Sequence, residues 1–135
     1  MPTLTMATLC GAASFRNGLL SVLDSGLERL DPASYPALFV PTLAVRIDFD
    51  EADFDTRHEV RIDVTHQDGE KLSSLDLSTT YEPPTEESVL ALTNYWMILQ
   101  PLPLQIRRDG IYHVSIHLGA KNVRTLRFRS ALPAQ

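Results

Sequence analysis

The sequence predicts a mainly β protein: an antiparallel β-sandwich of immunoglobulin-like or C2-like type, with roughly eight strands and little helix. Two observations lead to this prediction. Apolar and polar residues alternate in several segments, among them Leu43–Phe49 and Tyr112–Leu118, and this is the period of a half-buried strand. The nine prolines and six glycines fall between apolar runs, where turns are needed.

The first quarter of the chain predicts one clear strand and a less regular region. Residues 3–9 are rich in threonine and leucine, which favours a first strand. The apolar stretches 18–23 and 27–30 flank Asp24-Ser25-Gly26, which indicates a second strand broken by a turn or a bulge. Residues 12–17 are compatible with a single helical turn.

A central hairpin follows from the segment Val60–Val64, which alternates in the same way as Leu43–Phe49. The next residues, Gln67-Asp68-Gly69-Glu70, predict the turn, because an Asp-Gly pair readily adopts positive φ. In the returning strand, Leu72 is out of phase with Leu75 and Leu77. This phase difference indicates a bulge or a late start of the strand.

Residues 88–100 are apolar on both faces. They predict either a strand covered on both sides or a short helix that begins after residues 84–87, so the sequence leaves residues 84–100 open between strand and partial helix.

The end of the chain predicts a hairpin, in which 112–118 and 124–129 are the two strands and residues 119–122 form the turn. Leu126 and Phe128 are expected to face the core, with Arg127 and Arg129 outward. The preceding Asp109-Gly110-Ile111-Tyr112 resembles the corner of immunoglobulin-like sandwiches, where a tyrosine hydroxyl bonds back to nearby backbone.

Length and composition indicate one domain without a membrane span. The 135 residues contain no repeat and no linker, so residues 1–135 are expected to form a single domain. Cys10 is the only cysteine, which excludes an intramolecular disulfide and a zinc site built on thiolates. The first residues lack the basic and apolar regions of a signal peptide, and a cytoplasmic protein is expected.

The net charge of −5 is unevenly distributed along the chain. Residues 1–106 contain 16 of the 17 acidic residues, whereas residues 107–135 contain six of the 12 basic ones. We expect the basic hairpin to be neutralised by acidic strands beside it, although such a dipole can also steer an anionic partner or a second copy. The pI of about 5.2 and the absence of interleaved aromatic residues argue against nucleic-acid binding.

The acidic run Asp48, Asp50, Asp53 and Asp55 is the candidate metal site, because calcium takes several carboxylate oxygens from one loop. The calcium-loop pattern nevertheless fails, since Ala52 replaces the third ligand and Asp53 stands where the sharp turn needs glycine. A solvated connection between two strands is therefore the preferred interpretation, and no cofactor is expected.

Catalytic motifs are missing from the sequence. There is no Gly-x-Ser-x-Gly elbow and no glycine-rich phosphate loop, and Cys10 ends an apolar run where a buried, inert thiol is expected. His113 and His117 share one strand face, but their Cα atoms would be about 13 Å apart, too far to chelate one ion. His58 and His66 lie at the two ends of another strand, and all four histidines are interpreted as surface residues.

The candidate interface residues are Tyr95 and Trp96, which are large and amphipathic, and the arginine pair Arg127 and Arg129. Core packing is the alternative for the aromatic pair. The leading hypothesis is a non-catalytic binding or assembly module that takes a protein partner or a second copy of itself. A calcium-dependent or anionic-surface binder and an enzyme of unrecognised type remain as alternatives.

The chain also resembles an uncharacterised family of small bacterial proteins. Members usually carry an acidic residue where this sequence has Gly11. The resemblance implies a β-sandwich, and it implies no activity, cofactor or catalytic residue. It rests on Thr8-Leu9-Cys10-Gly11-Ala12-Ala13, Gly18-Leu19-Leu20, Leu43–Phe49, His58-Glu59-Val60 through Asp68-Gly69, and Gly110-x-Tyr112.

Overall fold

A computed structural model describes residues 1–82 and 94–133, which form eleven strands and one 3-10 turn at Glu51–Asp53. No helix within these ranges is long and apolar enough to cross a membrane. The strands are β1 (Thr3–Cys10), β2 (Ala12–Arg16), β3 (Leu19–Leu23), β4 (Ala37–Phe39), β5 (Thr42–Phe49), β6 (Arg57–His66), β7 (Lys71–Thr80), β8 (Asn94–Pro101), β9 (Leu104–Ile106), β10 (Gly110–Leu118) and β11 (Lys121–Ser130).

The strands form two larger sheets and two smaller ones, and every pairing between named strands is antiparallel. One larger sheet has the order β1-β5-β8, and the other has the order β11-β10-β6-β7. The pairs β2-β3 and β4-β9 form the smaller sheets. The prediction of a mainly β, antiparallel protein is confirmed. The described strands number eleven instead of about eight, because β2 falls where a helical turn was expected, and β4 and β9 are only three residues long and show too little alternation to be recognised.

Side chains from both larger sheets meet in one hydrophobic cluster. The alternation predicted for Tyr112–Leu118 is found in β10, where Tyr112, Val114 and Ile116 are at most 1% exposed. The β6 residues across from Val114 and Ile116 are equally buried, so the pairing of these two strands holds the middle of the core. The inward-facing residues of β5 and β11 complete the cluster from either side.

The β6–β7 hairpin agrees with its prediction in detail. Gly69 has φ +99° in the predicted turn. The register of β6 and β7 shifts between the pair Val64 and Ser73 and the pair Thr65 and Lys71, so Leu72 is the extra residue of a bulge. The phase difference in the sequence therefore identified a real irregularity.

The helical turn suggested for residues 12–17 is wrong. These residues form β2, which pairs with β3 across Asn17 and Gly18, at φ +52° and +75°. An Asn-Gly pair with both residues at positive φ is the preferred two-residue hairpin turn, so local turn chemistry decides this structure. In the ambiguous 84–100 region, Asn94–Pro101 is strand β8, and residues 84–93 lie outside the described residues.

The corner contact predicted at Tyr112 is confirmed. Its hydroxyl donates to the backbone oxygen of Arg108 at 2.6 Å, and its ring stacks on Phe128 with 5.1 Å between centroids. The imidazole of His66 meets the same ring edge-on at 4.9 Å. Gly110 begins β10 beside this imidazole, and a Cβ atom on residue 110 would lie 2.4 Å from the His66 Nε2 atom.

We predict that Gly110→Ala destabilises the protein by about 3 kcal/mol, because alanine is strained at φ +134° and its methyl group overlaps the His66 ring. Gly119→Ala is the matched control, since residue 119 also has positive φ but no atom lies within 4 Å of its added Cβ. That control should cost about 1 kcal/mol. Urea unfolding of both variants measures the difference, and equal losses would contradict the role assigned to the His66 contact.

Candidate functional site

The four carboxylates of the acidic run do not converge on one point. Asp48 lies on β5 and accepts a hydrogen bond from Arg46 at 2.8 Å. Asp50 caps the 3-10 turn by accepting from the backbone N–H of Ala52, and Asp55 follows the turn in an exposed position. Among the described residues, no group of three or more potential ligands is arranged to hold a metal ion.

Asp53 is the buried member of this run, and its partners are part of the protein itself. Its carboxylate accepts from the backbone N–H of Asp50 at 2.8 Å and lies 3.3 Å from the Met1 amine. Burial opposes ionisation of Asp53, but these hydrogen bonds outweigh it and hold the pKa of the carboxyl below its usual value. Asp53 therefore ties the start of the chain to the 3-10 turn, which is a structural role.

The histidines occupy separate environments. His58 is hydrogen-bonded to the backbone oxygen of Asp53 at 2.7 Å, and His117 lies 3.6 Å from the Asp63 carboxylate. His66 is only 6% exposed, so its interpretation as a surface residue is wrong: the 67–70 turn and the Tyr112 ring enclose it. Within the described part of the chain, no hydroxyl or thiol side chain is hydrogen-bonded to a histidine.

Cys10 is buried, as expected. Its Sγ atom donates to the backbone oxygen of Thr42 at 3.3 Å, and burial raises the pKa of the thiol. A protonated thiol without access to solvent is a poor nucleophile.

Hydrogen bonds and ion pairs connect the polar side chains around His66, a cluster called the His66 corner here. The Asp68 backbone N–H donates to His66 Nδ1 at 3.2 Å, so Nδ1 is an acceptor and Nε2 carries the hydrogen that reaches the Asp109 oxygen at 3.0 Å. Arg108 pairs with the carboxylates of Asp68 and Glu70. These contacts fix the turn of the β6–β7 hairpin against the start of β10, and they leave each charged group with a partner.

The two aromatic interface candidates lie on opposite faces of β8. Trp96 pairs with the buried Ile47 and packs against the hydrophobic cluster, so its alternative interpretation as a core residue is the one that the packing supports. Tyr95 lies on the other face, where the Arg46 guanidinium is 4.3 Å from its ring centroid and Phe15 contacts it edge-on. Neither ring lies on the surface that carries Arg127 and Arg129.

Arg127 and Arg129 are exposed on β11, which is an edge strand of the four-stranded sheet among the described residues. Their neighbours on β10 are His113 and Ile111, and neither carries a negative charge. The sequence predicts acidic strands beside the basic hairpin, but the register places no acidic residue opposite these two arginines. No carboxylate of the described residues lies within 4.0 Å of any basic side chain on this strand: Lys121, Arg124, Arg127 and Arg129.

A groove of about 570 Å³ runs between the edge strands β1 and β11. Its floor includes the buried side chains of Leu9 and Phe128 and the half-buried Leu126. Arg127 and Arg129 line one wall, and residues 7–9 line the other. Glu28 also lines the groove, so the apolar floor has a rim that carries two arginines and one carboxylate.

One end of this groove is closed by the segment Leu27–Leu30. The backbone N–H of Leu27 donates to the Leu9 oxygen of β1 at 2.9 Å. The following residues contact β11, where the Glu28 oxygen accepts from the Arg129 N–H and the Leu30 N–H donates to the Arg129 oxygen. The apolar character of this stretch is visible in the sequence, but no local pattern indicates that it crosses between the sheets.

The Asp68 carboxylate of the His66 corner should make the stability of the protein depend on pH. The backbone N–H of Glu70 and the Arg108 guanidinium lower the pKa of Asp68 from 3.8 to about 2. The ionised carboxylate therefore stabilises the fold above pH 3.8, and this contribution disappears as the pH falls through about 2. Melting temperatures of the parent and Asp68→Asn should differ most above pH 3.8 and converge toward pH 2; a gap that stays constant with pH would contradict the assignment.

Comparison with known proteins places the chain in one family. No curated protein matches the sequence. One family model matches residues 5–130, a range that includes most of β1 and all of β11 and therefore both walls of the groove. The resemblance to an uncharacterised family is confirmed: the chain belongs to DUF6941, a family of unknown function.

Proposed function

We propose that this protein is a non-catalytic binding module that holds an acidic segment of a partner protein in the groove between β1 and β11. One observation carries the proposal. Arg127 and Arg129 line an apolar groove, and no carboxylate of the described residues lies within 4.0 Å of either guanidinium.

The charge argument rests on a contrast within the same chain. Arg61 and Arg108 each lie within 4.0 Å of two carboxylates, and Arg29 pairs with Asp31 at 2.9 Å. Six of the eight lysines and arginines outside β11 lie within 4.0 Å of a carboxylate, with Arg16 and Arg107 as the exceptions, whereas none of the four on β11 lies that close to a described carboxylate. Complementary charge on a partner would satisfy these guanidiniums and favour the encounter.

The shape of the groove favours a protein segment over other anions. Leu126 and Phe128 offer apolar contacts that a phosphate backbone does not use, and the net charge of −5 repels an extended polyanion such as nucleic acid or an anionic membrane. A second copy joined through β11 to β11 would bring the arginines of both copies together, which costs free energy. A short segment with both apolar and acidic side chains can contact the groove floor as well as the arginines, and it does not bring two sets of arginines together.

A binding role also fits the chemistry of the remaining groups. The Nε2 atom of His58 and both ring nitrogens of His66 are engaged with backbone atoms, and the Cys10 thiol is buried. We further infer a sandwich of immunoglobulin-like type, supported by the shared core of the two larger sheets and by the Tyr112 corner. Such a scaffold presents a rigid surface for binding.

We predict that the protein binds a fluorescein-labelled peptide of about eight residues with alternating glutamate and valine, a length that matches an edge strand. The double variant Arg127→Glu/Arg129→Glu should weaken binding at least about tenfold, because attraction becomes repulsion at the rim. Fluorescence anisotropy measures the affinity, which should also fall with added salt.

The matched control is Arg16→Glu/Arg107→Glu. Both residues are exposed, neither lies within 4.0 Å of a described carboxylate, and the change in net charge is identical. This control should bind the peptide as the parent does. The proposal is overturned if the peptide does not bind, if both double variants lose affinity equally, if phosphatidylserine vesicles bind where the peptide does not, or if light scattering shows that the arginines hold a dimer together.

A further inference from the structure

We infer that the partner segment binds by adding as a strand to the free edge of β11, along Thr125 to Arg127. This inference rests on the proposed function, since it specifies how the same groove holds its ligand. Three features support it: the direction of the backbone groups on β11, the segment already paired to that strand, and the alternation of its side chains.

The pairing of β11 with β10 determines which backbone groups point away from the sheet. In an antiparallel ladder, successive residues direct their N–H and C=O groups alternately toward the partner strand and away from it. Arg129 directs both groups away from β10, because they bond to Leu30 and Glu28. By the same alternation, Arg127 and Thr125 direct their N–H and C=O groups toward the open edge.

These edge groups have no backbone partner among the residues that the structure describes. Unpaired edge groups are a ready template for another strand. Thr125 and Arg127 both line the groove, so a segment that pairs with them lies inside it.

The protein already adds a segment to this edge. Residues 28–30 pair with Arg129 in a parallel bridge, through the two hydrogen bonds of 2.8 and 2.9 Å to Glu28 and Leu30. The edge therefore has the geometry and space for an added strand at one position. The same edge continues through Arg127 and Thr125, where that position is open in the described structure.

The side chains of β11 determine the kind of sequence that fits. Arg127 faces outward and Leu126 faces the groove floor, and residues of an added strand face the same way as those they pair with. Acidic residues beside Arg127 and Thr125 would meet the basic rim, and apolar residues between them would meet Leu126 and Leu27. The expected ligand is an extended segment in which acidic and apolar residues alternate.

Backbone methylation of the glutamate-valine peptide tests this inference. Two further peptides carry N-methyl groups either on the central glutamates or on the central valines, so they are identical in charge and composition. Successive N–H groups of a strand point to opposite sides. An added strand therefore donates to β11 either from its glutamates or from its valines, but not from both. Exactly one methylated peptide should therefore bind at least about tenfold more weakly than the unmethylated peptide, equivalent to about 1.4 kcal/mol.

The identity of the weaker peptide also gives the direction of the strand. An antiparallel strand pairs through the residue directly opposite Arg127, which is a glutamate, whereas a parallel strand bonds through the flanking valines, as Glu28 and Leu30 flank Arg29. Either result supports strand addition. Equal binding of all three peptides would overturn it while leaving the acidic-partner function intact, and failure of the unmethylated peptide to bind would overturn both.

A protein variant tests the other side of the interface. Thr125→Pro removes an outward N–H that β10 does not use, and proline is tolerated at such edge positions. Ser78→Pro is the matched control on β7, the opposite edge strand of the same sheet, because the register makes its N–H point away from β6. Thr125→Pro should weaken peptide binding about tenfold, whereas Ser78→Pro should bind the peptide as tightly as the parent does. Equal affinities of both folded variants would count against pairing at β11. If Thr125→Pro fails to fold, as a melting curve shows, the methylated peptides decide.

Discussion

The register of β10 is the constraint on which the rest of the described structure depends. This strand pairs with β6 on one side and with β11 on the other, and its inward residues Tyr112, Val114 and Ile116 occupy the middle of the hydrophobic cluster. A shift by one residue would expose all three and bury His113 and Ser115 in their place. The Tyr112 hydroxyl bond and the close approach of Gly110 to His66 stop such a shift at the start of the strand.

The same register determines the chemistry of the outer surface. Burial of Leu126 and Phe128 turns Arg127 and Arg129 outward, and the β10 residues across from these arginines are His113 and Ile111. The positive charge of β11, which no described carboxylate approaches within 4.0 Å, is therefore a direct consequence of how the core is packed. A β11 strand paired beside an acidic neighbour would have neutralised it, as Arg61 and Asp76 do between β6 and β7.

Sequence reasoning identified the long strands and the turns with strong local chemistry. The alternation of Val60–Val64, the Asp68-Gly69 turn and the phase of Leu72 each reported a feature that backbone geometry and burial impose locally. The helical turn suggested for residues 12–17 is wrong because Asn17-Gly18, a preferred two-residue hairpin turn, pairs these residues with β3.

The candidate site was only partly predictable. Arg127 and Arg129 were identified as outward-facing, but the groove beside them depends on which strand lies next to β11, and strand order is not encoded in periodicity. The crossing of Leu27–Leu30 between two sheets is a long-range arrangement of the same kind. Trp96 shows why single residues are difficult to assign from sequence. A large amphipathic ring is expected both in a core and at an interface, so its type alone does not distinguish the two.

The Leu27–Leu30 crossing has a consequence for how far association can proceed. Exposed strand edges in many β proteins allow open-ended stacking of molecule upon molecule, which leads to fibres. Here the chain's own backbone occupies the Arg129 position and spans the gap to Leu9, so a strand added to this edge as proposed would meet a fixed stop after a few residues. The edge is thereby short and blocked at one end, a geometry that favours a discrete one-to-one complex over continuous growth.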